Sequence, residues 1–262
     1  MKFTALVLAA DREALNPVAH AAGTPCKSLV PLQGKPLVMR VLETLARCPS
    51  VERCLLLGPP QEILAHTELA SLLGSPWLTW MPHQPSPSLS VLAGFSRVPE
   101  NQPVLLTTSD LAFPNVQTFE DFCRQASVSG ADAAVGLVPT AQVVSCFPEF
   151  QRTRLKFADG PFCTCNLFAF LTPQGKKLAE LWRHLEQERK HPWRLIRELG
   201  ILSLAYYLLG RLSSDELARQ VEKKLGVKVK FVILPYPEAA IDIDTEDDLR
   251  QVQKLLEKGL IS

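Results

Sequence analysis

Phe3-Thr-Ala-Leu-Val-Leu-Ala-Ala-Asp-Arg12 opens the chain as an apolar run that stops abruptly at charged residues. Phe3–Leu8 shows little polar alternation, the pattern of a parallel strand covered on both faces. Two further segments share its logic. Leu105-Leu-Thr-Thr-Ser-Asp110 is another apolar strand ending in a carboxylate, and Ile241-Asp-Ile-Asp-Thr-Glu-Asp-Asp-Leu249 is an acidic cluster leading into a helix. In open α/β sheets, ligands bind outside the carboxyl ends of the strands. Carboxylates gathered there suit a hard cation, and hard cations commonly hold substrate phosphates.

The segments between these three alternate in period. Helical spacing over Pro36–Arg47 precedes a strand at Arg53–Leu57, a helix around Gln61–Leu73 and a strand at Trp77–Met81. A proline-rich loop, Pro82–Ser88, feeds a helix at Leu89–Arg97. Strands at Val104–Thr108, Ala133–Val138 and Cys163–Phe170 follow, with a helix at Phe119–Ala126 between the first two. The repeated β-then-α order predicts an α/β fold with a mostly parallel central sheet and helices on both faces.

Beyond it, Leu178, Leu181, Trp182 and Leu185 mark an amphipathic helix, and Trp193–Leu209 a second one, apolar nearly all round at its C-terminal end. The second helix reads either as core or as a surface for another subunit or a lipid-like acceptor. Ser213-Ser-Asp-Glu216 is a capping box opening a third helix that Gly226 ends, and Val227–Phe231 alternates as a strand. The expectation is one domain over 1–262 with a helical insertion at 173–226.

The chain has 262 residues, 47% of them hydrophobic, enough for one sizeable core. A net charge of +1 leaves no polybasic footprint for nucleic acid. The longest apolar stretch, Ile201–Leu209, falls well short of the roughly 20 residues that span a bilayer. Seven scattered cysteines and no legible signal peptide point to a reducing cytoplasm. Cys163 and Cys165 lack further ligands at zinc spacing, and packing explains them. The five histidines sit in no catalytic spacing, and neither a Walker lysine motif nor Gly-x-Gly-x-x-Gly follows a strand.

Three candidate groups remain. Lys27, in Gly23-Thr-Pro-Cys-Lys27, is a loop ammonium suited to a triphosphate, although taken alone it reads first as an ordinary solvated lysine. Asp110 reads as a metal ligand or as a turn or N-cap aspartate. Asp242 and Asp244 share one face of an expected strand, with Ile241 and Ile243 on the other. Two such carboxylates repel unless a cation lies between them. Alternatively, Asp244 or Thr245 caps the helix starting near Glu246.

Leu8-Ala9-Ala10, then Pro25-Cys-Lys27, then Gly34-Lys-Pro-Leu37, a strand ending in Asp110, and Asp242-Ile-Asp-Thr-Glu-Asp-Asp-Leu249 occur in an order that resembles the nucleotidyltransferases of the glycosyltransferase-A-like fold. Molybdenum cofactor guanylyltransferase and methylerythritol-phosphate cytidylyltransferase are examples. The resemblance covers roughly residues 1–170 and 227–260. It implies Mg2+-dependent transfer of a nucleoside monophosphate from a nucleoside triphosphate to a small, usually phosphorylated acceptor, with release of pyrophosphate.

By the same resemblance, Lys27 contacts phosphate, Asp110 binds magnesium, and either Asp242 or Asp244 is the second ligand. Leu8, Ala9 and Ala10 line the nucleotide, Ser90 lies where the base is held, and Asn166 faces the acceptor, although an asparagine there also reads as turn-stabilising.

One departure stands out. The family pattern is Leu-Ala-Ala-Gly-x-Gly-x-Arg, and here Asp11 and Glu13 replace the glycines and Leu15 the arginine, with Arg12 nearby to supply charge. A nucleotide-sugar-dependent glycosyltransferase is the first alternative, disfavoured because Ser109-Asp-Leu-Ala112 offers a single carboxylate. A non-catalytic nucleotide-binding module is the second, and a homodimer is compatible with any of the three. Removing Asp110 is expected to abolish transfer with little effect on folding.

Overall fold

The computed structural model of the chain describes residues 1–11, 15–64, 69–186 and 206–259. Arg12 and residues 193–205 of the expected second insertion helix lie outside them. In chain order the elements are β1 (Phe3–Leu8), α1 (Pro17–Ala21), β2 (Pro31–Leu32), β3 (Lys35–Pro36), α2 (Leu37–Ala46), β4 (Val51–Leu57), α3 (Gln61–Leu64), α4 (Leu69–Leu72), β5 (Leu78–Met81), α5 (Pro87–Phe95), β6 (Val104–Thr108), α6 (Val116–Val128), β7 (Ala133–Pro139), α7 (Thr140–Cys146), β8 (Arg154–Phe157), β9 (Gly160–Phe170), α8 (Pro173–Glu186), α9 (Ser214–Leu225), β10 (Val229–Ile233) and α10 (Glu246–Glu257).

The main sheet runs β10-β7-β9-β6-β1-β4-β5, with β8 paired to β9. β6, β1, β4 and β5 are mutually parallel, as are β7 and β10. β9 is the exception: it lies antiparallel between β6 and β7, and β8 joins it antiparallel. This is the predicted mostly parallel α/β sheet.

The continuous apolar run of β1 is explained by two separate cores. Phe3, Ala5 and Val7 pack in one with residues of α2, α6 and α10, whereas Leu6 packs in the other with Val91 of α5 and Ala179 of α8. A side-chain period of two sends alternate residues to opposite faces, so both must be apolar. α5 comes so close to β1 that a Cβ on Gly94 would lie 2.7 Å from Leu6 Cδ2.

The local signals act as their chemistry requires. Asn16 caps α1 ahead of Pro17, Asn115 caps α6, and Ser213 caps α9, which Gly226 ends at φ 65°. α1, α7 and β8 were not expected from the sequence. The expected helix at 61–73 is seen as α3 and α4, with residues 65–68 outside the description. The expected strand bearing Asp242 and Asp244 is a single bridge, Leu111 to Asp242, too short for a ladder. The alternation survives, because Ile241 and Ile243 are fully buried. No helix among the described residues is long and apolar enough to cross a membrane.

One carboxylate ties α6 to the start of β4. Glu120 accepts hydrogen bonds from Ser50 N at 2.6 Å, Ser50 Oγ at 2.8 Å and Cys48 Sγ at 2.8 Å. Burial works to raise the Glu120 pKa, but these donors outweigh it and hold the group below the usual carboxylate range. Its contribution to stability is therefore present above about pH 4.3 and is lost as pH falls through the lower folded value. Glu120→Gln is expected to cost about 1 kcal/mol at pH 7. Denaturant titrations should show that difference disappearing in acid.

Candidate active site

The carboxyl ends of β1 and β6 are stitched together by a hydrogen bond from Ser109 N to Leu8 O, 2.9 Å. Beside them Ala9 N donates to Leu57 O at 3.0 Å. Ala10 is gripped by Gly58, whose φ of +79° and 2.9 Å Cβ-to-Cβ approach leave no room for a side chain. Leu8-Ala9-Ala10 thus forms the floor between β4 and β6. The acidic segment is drawn up to this edge by hydrogen bonds from Ala112 N to Ile241 O and from Ile243 N to Asp110 O, both 3.0 Å.

Lys27 opens a short 3-10 turn, Lys27–Leu29, whose N-cap residue Cys26 gives no side-chain cap. Asp11 supplies it from a distance, accepting the Lys27 backbone N–H at 3.0 and 3.3 Å. Burial raises the Asp11 pKa, and the Lys27 N–H and ammonium oppose that rise. The residue that departs from the glycine pattern therefore turns inward and seats the lysine.

From this turn the Lys27 ammonium reaches Asp110 Oδ2 at 2.5 Å and Asp244 Oδ1 at 3.1 Å. The side chains of Lys27 and Asp110 are 15% and 14% exposed, whereas that of Asp244 is 60% exposed. Burial works to lower the Lys27 pKa, but the charges of Asp110 and Asp244 overcome it and raise the value above the usual lysine range. Burial likewise works to raise the Asp110 pKa, and Lys27 reverses the sign, so Asp110 is held below the usual range. Residues far apart in sequence, 27, 110 and 244, thus converge on one positive charge.

Asp242 lies behind this pair and is held differently. Asn166 Nδ2 donates to its Oδ2 at 2.9 Å, and Arg152 Nη1 lies 3.1 Å from its Oδ1. Asn166 adopts φ 50°, a left-handed conformation that asparagine tolerates better than most residues. Burial, then the charges of Asp244 and Asp110, push the Asp242 pKa up to about 6 against the opposing effect of Arg152.

The structure thus brings Lys27, Asp110 and Asp244 into direct contact, with Asp242 and Asn166 joined beside them. Ser90 is used locally: its Oγ accepts from Gln84 N at 2.8 Å and donates to Ser86 O at 3.1 Å. Thr245, not Asp244, caps α10, in a capping box with Asp248. Sequence reasoning missed Arg152, which no motif marks, and the capping role of Asp11. Cys163 and Cys165 are both buried in the core, and among the described residues no cluster of three or more His, Cys, Asp or Glu is set to hold a metal.

A doubly covered α/β sheet that gathers a lysine and carboxylates at its carboxyl edge has the place and the charge pattern of a ligand site. The chain belongs to the MobA-like NTP transferase domain family, whose model matches residues 5–202. It is a nucleotidyltransferase by that membership. Among solved structures, it is similar to a hypothetical transferase from Thermus thermophilus, with 28% identity, TM-score 0.78, and coverage of 95% of this chain and 100% of the other. It shares its fold with a CMP:2-keto-3-deoxy-manno-octonic acid synthetase complexed with CTP, at 10% identity and TM-score 0.60, covering 98% and 100%. The same holds for a 4-diphosphocytidyl-2C-methyl-D-erythritol synthase from Anaerococcus prevotii, at 15% identity and TM-score 0.56, covering 98% and 96%. No curated protein matches the chain.

Proposed function

We propose that the chain is a Mg2+-dependent nucleotidyltransferase that moves a nucleoside monophosphate from a nucleoside triphosphate to a small phosphorylated acceptor, releasing pyrophosphate. The observation that carries this reading is the Lys27 ammonium bracketed by Asp110 and Asp244 at the strand ends. A site that already holds one cation between two carboxylates has the charge pattern for metal-bound phosphates.

The donors fit magnesium. Asp110 and Asp244 offer hard oxygens, and Asp110 Oδ1 is buried without a hydrogen-bond partner. Magnesium usually takes one or two carboxylates and completes its shell with phosphates and water, so a preformed cage is not required. When bound, it neutralises charge on the triphosphate and polarises the phosphorus under attack. The exposed Asp244 suits the second ligand position better than Asp242, whose oxygens are engaged by Asn166 and Arg152.

The acceptor phosphate oxygen forms a bond to the α-phosphorus as the bond to the β-phosphate bridging oxygen breaks. An acceptor phosphate is already anionic, so no general base is needed. Lys27 supplies fixed positive charge where negative charge develops, and the short turn that Asp11 caps holds it there. Asn166 and Asp242 form the acceptor-side wall. The helices α8 and α9, the described part of 173–226 between β9 and β10, are read as a helical insertion within a single domain. Free thiols at all seven cysteines fit a cytoplasmic setting.

The test is incubation with Mg2+, the four nucleoside triphosphates and a panel of sugar and alcohol phosphates. Pyrophosphate release matched by nucleotide on an acceptor is expected. Tight nucleotide binding without turnover across the panel would instead favour a binding module.

A further inference from the structure

We propose that Arg152 is a positioning residue that sets the acidic segment 242–244 and couples it to the loop between α7 and β8. Its guanidinium reaches three groups of the C-terminal segment. Nη1 pairs with Asp242 Oδ1 at 3.1 Å, Nη2 pairs with Asp248 Oδ1 at 3.2 Å, and Nη2 also donates to the Asp242 carbonyl. The Phe150 ring, 5.3 Å away, backs the guanidinium. The Arg152 side chain is 11% exposed, too buried for an incidental surface pair.

The second contact matters as much as the first. Asp248 Oδ2 accepts from the backbone N–H of Asp244 at 3.1 Å and of Thr245 at 2.9 Å. Arg152 therefore fixes Asp242 directly and the backbone of Asp244 through Asp248. Carboxylates at 242, 244, 246, 247 and 248 crowd one short stretch, and self-repulsion would splay it. A planar guanidinium presents separate N–H groups to Asp242 and Asp248 in a fixed geometry, which the single nitrogen of an ammonium at this position would not reproduce. This inference rests on the reading of Asp110 and Asp244 as the cation-facing pair.

The test uses the full chain and Mn2+ alone, with free Mn2+ followed by electron paramagnetic resonance. Titrations are run well below each variant's melting temperature. Removing a group that orients a metal ligand typically costs 10- to 100-fold in affinity. Arg152→Gln is expected to weaken Mn2+ binding by about that factor, and Arg152→Lys to recover part of it. If Arg152→Gln does not fold, Arg152→Lys carries the test, with an expected loss of about tenfold. A folded variant that binds Mn2+ like the wild type, with only its melting temperature lowered, would reduce Arg152 to a structural residue and overturn the proposal. Asp110→Asn separates the two levels: if it too binds Mn2+ like the wild type, or if the wild type binds none, the underlying site assignment fails and this inference with it.

Discussion

Lys27→Met should leave a protein that melts well below the wild type in the absence of divalent ions and recovers when Mg2+ is added. The substitution removes the cation between Asp110 and Asp244 and leaves a largely buried carboxylate uncompensated. Breaking a buried pair from one side typically costs about 3–5 kcal/mol. The exposure of Asp244 puts the expected loss near the lower end, about 3 kcal/mol, or roughly 6–12 °C in melting temperature.

Magnesium should offset that loss by mass action, about 2.7 kcal/mol at one hundred times its dissociation constant. The wild type should respond less, because its own ammonium competes for the same oxygens. The pH dependence has a defined sign. Asp110 lies below the usual range, so its share is present above about pH 4 and lost as pH falls; Lys27 is raised, so its share persists until pH rises past about 10. The gap between variant and wild type should therefore be widest near neutrality and close in acid. A Lys27→Met protein as stable as the wild type without metal, at neutral pH, would show that the ammonium is not the resident counter-charge.

On the proposed function, Asp110→Asn should lower transfer at least about a thousandfold, since it removes charge from the oxygens that face Lys27 and would hold the metal. Steady-state pyrophosphate release with saturating nucleotide measures it. The sequence-based expectation of little effect on folding needs correction, because Asp110 is half of a largely buried ion pair. Asparagine keeps an oxygen for Lys27 and should fold, whereas Asp110→Ala should be markedly less stable. Activity retained in Asp110→Asn would remove Asp110 from the chemistry.

The parts of this architecture that were legible in the sequence are those set by local pattern. The unbroken apolar run of β1 announced a strand covered on both sides, and Ser213 and Gly226 marked the ends of α9. Asp110 and the acidic segment stood out because carboxylates directly after apolar strands are costly without a partner. The partner itself was not legible. The Lys27 contacts to Asp110 and Asp244 span 83 and 217 residues, and no local period encodes them.

Arg152 was hidden for the same reason: its partner Asp242 lies 90 residues on, and the residues around it carry no motif. Asp11 was visible only as a departure from a glycine pattern, which reads as damage. Its use as a remote cap for Lys27 depends on a fold that brings the two together. The expected strand at 241–244 failed because alternation reports burial on one side, and Ile241 and Ile243 satisfy it with a single bridge.

One cation position between Asp110 and Asp244 is held by the Lys27 ammonium in the resting protein, is contested by free divalent ions, and passes to a divalent ion once triphosphate draws the ammonium onto its phosphates. A crystal structure of the chain with Mg2+ and a non-hydrolysable nucleoside triphosphate tests it most directly. Metal density is expected on Asp110 and Asp244, with the Lys27 ammonium against phosphate oxygens. Nucleotide bound while Lys27 remains paired to both carboxylates, with the metal elsewhere, would contradict it.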